Sequence, residues 1–190
     1  IFVIGDSHAR HYAEGLDVEF SGQRNEAVYL HAGASCLHLP GLVRISNLED
    51  PQCPSRVAEF VALVRSQTVT PVVVVAHSWV NQMQRSTQIH NPERNLTTQD
   101  IIEAIYQFQA QVETDVIVIG QLPSSTVSIP DLLTRPDLLH TFSDTSNQQL
   151  WQQSHVSFNS TLLEAASTSG KFKFYDPTTA LCDTVGLSLI

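Results

Sequence analysis

At 190 residues the chain is sized for one domain, and a domain of this length buries roughly 70% of the surface its unfolded form exposes, so a core can form without staples. Nineteen acidic residues stand against ten basic ones, with no Lys/Arg cluster; this speaks against a nucleic-acid partner, which calls for a basic face, and against a strongly anionic ligand. The longest apolar runs, such as Val72 to Ala76, are far too short to cross a bilayer, and no charged segment followed by an apolar one opens the chain as a signal peptide would. The sequence begins inside a strand pattern. We therefore expect residues 1–190 to form a single domain excised from something larger, with any anchor outside them.

Taken in order, five short apolar runs alternate with helical patterns. Ile1 to Ile4, Ala27 to Leu30, Val72 to Ala76, Val116 to Ile119 and Phe172 to Tyr175 are β-branched or aromatic and bounded by polar or turn residues, the signature of buried parallel strands. Between them, Val57, Phe60, Val61 and Val64 share one helical face behind Pro54 at a first helical position. Ile101, Ile102, Ile105, Phe108 and Val112 repeat that pattern after the cap signals Thr97 and Thr98. A last helix is expected from about Asp144 to Ala166, with Leu150, Trp151, Phe158 and Leu162 inward. Strand then helix, repeated, predicts an α/β domain with a parallel sheet covered on both faces. Two long irregular stretches, Cys36 to Cys53 and Gln121 to Phe142, follow strands, where loops of that size commonly shape a site.

The chemistry starts at Gly5-Asp6-Ser7. Glycine permits a sharp turn after the first strand, and a serine there projects into the crevice at the carboxyl end of the sheet, where open α/β folds hold their ligands. The competing reading is plain helix capping, for which Asp and Ser are favoured. Cys36 and Cys53 bracket a loop; a disulfide there would contribute about 3 kcal/mol through loop closure, and two small buried thiols are the alternative. We expect the bridge. Cys182 is left without a visible partner.

Eight histidines invite over-reading. His8 and His11 have i, i+3 spacing, but no third ligand joins them at a recognisable spacing, so no metal is expected. His31 and His38 flank the turn after the second strand and are read as loop or surface residues that can touch substrate. His77, at a strand end, is the better pocket candidate, and His90, His140 and His155 carry no positional argument. Asn95-Leu-Thr97 and Asn159-Ser-Thr161 match the glycosylation pattern, which is too frequent to use.

The segment Ile1-Phe-Val-Ile-Gly-Asp-Ser-His-Ala9 resembles the first block of SGNH (GDSL-like) hydrolases, and more narrowly the SGNH domain fused to membrane acyltransferase-3 proteins that O-acetylate cell-surface polysaccharides. Gly33-Ala-Ser-Cys36, with Cys53 as its partner cysteine, Val72-Val-Val-Val-Ala-His-Ser-Trp79, and Tyr175-Asp-Pro-Thr-Thr-Ala-Leu-Cys-Asp183 are similar to successive blocks of that subgroup, in order along the chain. The resemblance implies a flavodoxin-like three-layer α/β/α fold with a five-stranded parallel sheet. It implies acyl transfer or ester hydrolysis with Ser7 as nucleophile, the Ser7 and Gly33 N–H groups as oxyanion donors, Asp6 as a scaffold residue, and no cofactor; His8, beside Ser7, and His77, at a strand end, are read from their positions as substrate-binding residues, with His77 the replacement base to test if the triad is absent. The partners implied are a saccharide acceptor and an acetyl donor delivered by the membrane acyltransferase domain, at the periplasmic or other extracytoplasmic face of a bacterial inner membrane.

Two departures stand out. General SGNH hydrolases end the third strand in Gly-x-Asn-Asp, whereas this chain has Ala76-His77-Ser78-Trp79; Asn81 is the substitute oxyanion donor to consider, against a solvated asparagine at a helix start. The family's Asp-x-x-His element, which supplies the base and its orienting acid, has no counterpart before Leu187-Ser-Leu-Ile190, and no histidine follows His155. Either a segment carrying that element and a second cysteine belongs between Cys182 and Leu187, or the triad is lost and the domain is a glycan-binding pseudoenzyme.

Overall fold

A computed structural model describes residues 1–24, 26–33, 36–45, 52–122 and 145–178. Its centre is a five-stranded, all-parallel sheet built from β1 (Phe2–Gly5), β2 (Tyr29–Ala32), β4 (Val72–Ala76), β7 (Asp115–Ile119) and β8 (Lys173–Tyr175), in the order β2-β1-β4-β7-β8. This is the flavodoxin-like order, in which the second strand lies outside the first and the chain then winds the other way. All five strands read from the sequence are present, shifted by at most two residues.

Alternation along the strands divides two cores. Ile4, Val73, Val75, Val116 and Val118 face one side, where they meet α3 (Gln52–Arg65), α5 (Thr98–Val112) and α6 (Thr145–Ser169) through residues such as Phe60, Ile105, Phe108 and Leu162. Val3, Val74, Ala76 and Ile119 face the other, against Ala9 and Ala13 of α1 (Ser7–Leu16). α1 runs on through a π-helical turn (Asp17–Ser21) into the short α2 (Gly22–Arg24). The helix starts have visible causes: α5 opens on a capping box between Thr97 and Asp100 and closes on Glu113 in the left-handed region. Of the inward residues expected on α6, Phe158 and Leu162 are buried; the side chains of Leu150 and Trp151 lie outside the described residues.

A second sheet has no counterpart in the sequence reading. β3 (Leu42–Arg44), β5 (Ser86–Gln88) and β6 (Asn91–Asn95) form an antiparallel sheet in the order β3-β5-β6. β6 is exposed throughout and contains Pro92, which its edge position tolerates; a polar, proline-bearing edge strand has neither the apolar run nor the alternation that marks a strand. β3 lies inside the first of the two stretches expected to be irregular. Most of the second, residues 123–142, lies outside the described residues, as does His140. A disulfide joins Cys36 to Cys53, with both cysteines buried.

No helix of the described residues is long and apolar enough to cross a membrane. Gly5 is held at the closest approach of β1 to β4: a Cβ at this position would lie 1.8 Å from the Ala76 carbonyl oxygen. That overlap is with backbone in the middle of a sheet and has no cheap relief. Gly5→Ala is expected to lower the unfolding free energy by about 3 kcal/mol or more; urea titration checks this, and an unchanged midpoint would show that the two strands are not packed as described.

Candidate active site

The carboxyl ends of β1, β2, β4, β7 and β8 converge on one edge, and Asp6 organises its first part. It leaves β1 as the N-cap of α1, its Oδ1 accepting from the His8 N–H at 2.9 Å. Its Oδ2 accepts from the Ser78 N–H at 3.0 Å and from Gln82 Nε2 at 2.8 Å. Ser78 precedes α4 (Trp79–Arg85) and Gln82 lies within it. One carboxylate thus ties the turn after β1 to the turn after β4. It is buried, and burial pushes its pKa up; His77, His8 and Gln82 more than offset this and hold it well below the usual carboxylate range. His77, foremost among them, has its Nδ1 3.8 Å from Oδ2 and acts by proximity rather than through a formed hydrogen bond. His8 Nδ1 lies 3.5 Å from Oδ1.

Ser7 is the first residue of α1 and is exposed. Among the described residues its hydroxyl has no hydrogen-bond partner and its N–H has no acceptor. The helix N-terminus adds a partial positive charge at that N–H. The Gly33 N–H, in contrast, donates to the Gly5 carbonyl at 3.1 Å, extending the β1–β2 ladder, so an oxyanion there would have to take it from that bond. Asn81 is exposed on α4, one residue before the Gln82 that reaches Asp6.

His8 is partly exposed beside Ser7, whereas the His77 side chain has no exposed surface. His77, read from the sequence as a pocket candidate, is thus buried and approaches the site through Asp6. His38, read as a loop or surface residue, is likewise fully buried. Its ring stacks on His77 at 5.8 Å between centroids and meets His31 edge-on at 5.7 Å, while His77 meets Trp79 at 4.9 Å. Among the described residues, neither ring nitrogen of His38 or of His77 has a hydrogen-bond partner. Burial, followed by the charges of His77, His31 and Arg56, holds the His38 pKa down at about 3, against the opposing pull of Asp6.

His11 is exposed on α1, and among the described residues no group of three His, Cys, Asp or Glu side chains is arranged to hold a metal ion. Cys182 and everything from Thr179 onward lie outside the described residues. Sequence reasoning missed Gln82, Gln121 and Asn159. Nothing local sets these amides apart from the other Asn and Gln residues around them, such as Asn81 and Gln84 beside Gln82, and Asn159 carried only an uninformative glycosylation pattern.

Residues 1–187 match the family model for the SGNH domain (fused to AT3 domains). The chain belongs to that family. No curated protein and no solved structure matches it. For this SGNH domain, the membership suggests an enzyme of acyltransferase or esterase type, and the parallel sheet with a serine at the turn after its first strand agrees with the SGNH hydrolase fold.

The burial of His38 has a measurable consequence. Its folded pKa, about 3, lies below the ordinary 6.5, so between these values the unfolded chain binds a proton that the native protein does not. Stability from this residue is complete above about 6.5 and falls by about 1.4 kcal/mol per pH unit on acidification below it. Urea unfolding at pH 7.5 and 4.5 should show the loss, and His38→Phe should reduce the slope by about one proton; an identical slope in the variant would place the acid lability elsewhere.

Proposed function

We propose that this SGNH domain transfers an acetyl group to a saccharide hydroxyl through an acyl-Ser7 intermediate, with the acetyl donor supplied by an acyltransferase-3 membrane domain of the same polypeptide. The observation that carries the reading is Ser7 itself: an exposed hydroxyl without a partner among the described residues, at the first position of α1, on a turn clamped by a buried carboxylate. A nucleophile needs that combination of a free hydroxyl and a rigid frame.

The chemistry runs in two steps. Ser7 Oγ attacks the acyl carbonyl and gives its proton to a base, and the tetrahedral oxyanion is received by the Ser7 N–H at the positive end of α1. One such donor is typically worth about 2.7 to 4 kcal/mol. The donor's leaving group departs with the proton, and the acceptor hydroxyl then repeats the sequence in reverse on acyl-Ser7. His8, partly exposed next to Ser7, is placed in this scheme to bond the acyl carbonyl or a sugar hydroxyl. The base is assigned by resemblance to an Asp-x-x-His element, which residues 183–186 do not contain and which this reading requires from a segment inserted between Cys182 and Leu187. The disulfide between Cys36 and Cys53 fits an oxidising, extracytoplasmic compartment, and the net charge of −9 favours an acceptor without strong negative charge.

The same acyl-enzyme with water as acceptor would make the domain a carbohydrate O-acetyl esterase. The test common to both is covalent labelling of the full-length protein by a serine-directed fluorophosphonate. Modification at Ser7, absent in Ser7→Ala, is the expected result. No modification in the full-length protein would sink the acyl-serine mechanism and leave a glycan-binding pseudoenzyme.

A further inference from the structure

The strand edge holds a second polar network, next to the Asp6 clamp. Asn159 on α6 is buried and spends every hydrogen-bonding atom of its amide there. Its Oδ1 accepts from the Gln121 N–H at 2.7 Å, and its Nδ2 donates to the Gln121 carbonyl at 3.1 Å and to Asp176 Oδ1 at 3.0 Å. Asp176, just after β8, takes two further hydrogen bonds on the same oxygen from the N–H and hydroxyl of Thr178, at 3.0 and 2.7 Å. Gln121, just after β7, turns its own side chain to α4, where Oε1 accepts from the Val80 N–H at 3.0 Å. Val80 lies between Ser78 and Gln82, the two residues of that segment bonded to Asp6.

The path is therefore continuous: Thr178, Asp176, Asn159, Gln121, Val80, then Ser78 and Gln82 to Asp6 and the Ser7 turn. Close approach is built in. A Cβ at Gly120 would lie 2.9 Å from Asn159 Oδ1 and 2.8 Å from Phe174 Cζ. Asparagine suits the junction because one short, planar side chain offers an acceptor and two donors. Aspartate has the same shape and no donor.

We infer that Asn159 is a positioning residue, which fixes the exit of the chain from β8 against the nucleophile turn through Gln121 and α4. It does not touch the reacting atoms. Its catalytic consequence rests on the acyl-serine reading, since only then do the two sides of this edge have to meet around one substrate; its structural consequence does not.

The test uses Asn159→Asp, which keeps size and the acceptor for the Gln121 N–H but sets a carboxylate against Asp176, and the double variant Asn159→Asp/Asp176→Asn, which restores a donor to that pair. Hydrogen exchange at pH 7.5 should show the Val80 and Thr178 amides losing protection by about 10-fold or more in the single variant, as loss of a hydrogen bond to a charged group implies. Protection at Val3 and Val74 should hold, and the double variant should recover the Thr178 amide. Fluorophosphonate labelling of Ser7 should slow on the order of 10²-fold in the single variant, the loss that a misplacement near 1 Å produces, and should recover in part in the double. Unchanged Val80 protection, or loss spread evenly over Val3 and Val74, overturns the inference. So does an unchanged labelling rate. If the wild-type protein is not labelled at all, the acyl-serine reading fails, and the exchange pattern alone still decides whether Asn159 couples the two sides.

Discussion

The structure depends on one buried carboxylate. Asp6 sits where β1 gives way to α1 and is also the acceptor for Ser78 and Gln82 beyond β4. A lone carboxylate away from water would be expensive; three hydrogen bonds and two flanking imidazoles make this one favourable, and the same bonds prevent the two turns from moving apart. The rigidity around Ser7 is thus a consequence of satisfying a charge. Asp6 is accordingly a frame for the turn that carries Ser7.

The histidine row behind that frame adds a constraint of another kind. His38 and His77 stack on each other, and His77 meets Trp79, with no bonded ring nitrogens among the described residues. Burial keeps His38 itself neutral at neutral pH, and acid would charge it. His8, on the outer side of Asp6, faces solvent in part and remains open to a ligand.

The strand edge is stitched across its whole width. The Gly33 N–H bonds Gly5, Asp6 bonds the turn after β4, the Trp79 indole N–H bonds the Ile119 carbonyl, and the Gly120 N–H bonds the Tyr175 carbonyl. Each bond uses a backbone group that the sheet ladder leaves unpaired where its strands end, a group that has to find a partner when buried. The amides of Gln82, Gln121 and Asn159 complete the work between strands.

How much of this was legible follows from the range of each interaction. The five parallel strands, the apolar faces of α3 and α5, and the serine turn after β1 are encoded in short windows, as apolar runs, helical spacing and a glycine at a sharp bend, and the block matches along the chain point to the SGNH family. The antiparallel sheet of β3, β5 and β6 was invisible because β3 and β5 are three residues long and β6 is polar throughout, and the strands gain their stability from each other. The burial of His38 and His77 was misjudged because a histidine at a strand end or in a loop carries no local mark of what will cover it. By itself the sequence determined the α/β alternation and the position of Ser7, and it pointed to the bridge between Cys36 and Cys53 that the structure contains. Only the tertiary structure decided that Asp6, Gln82, Gln121 and Asn159 belong to one edge, because residues up to 153 positions apart meet there solely through the order in which the strands assemble.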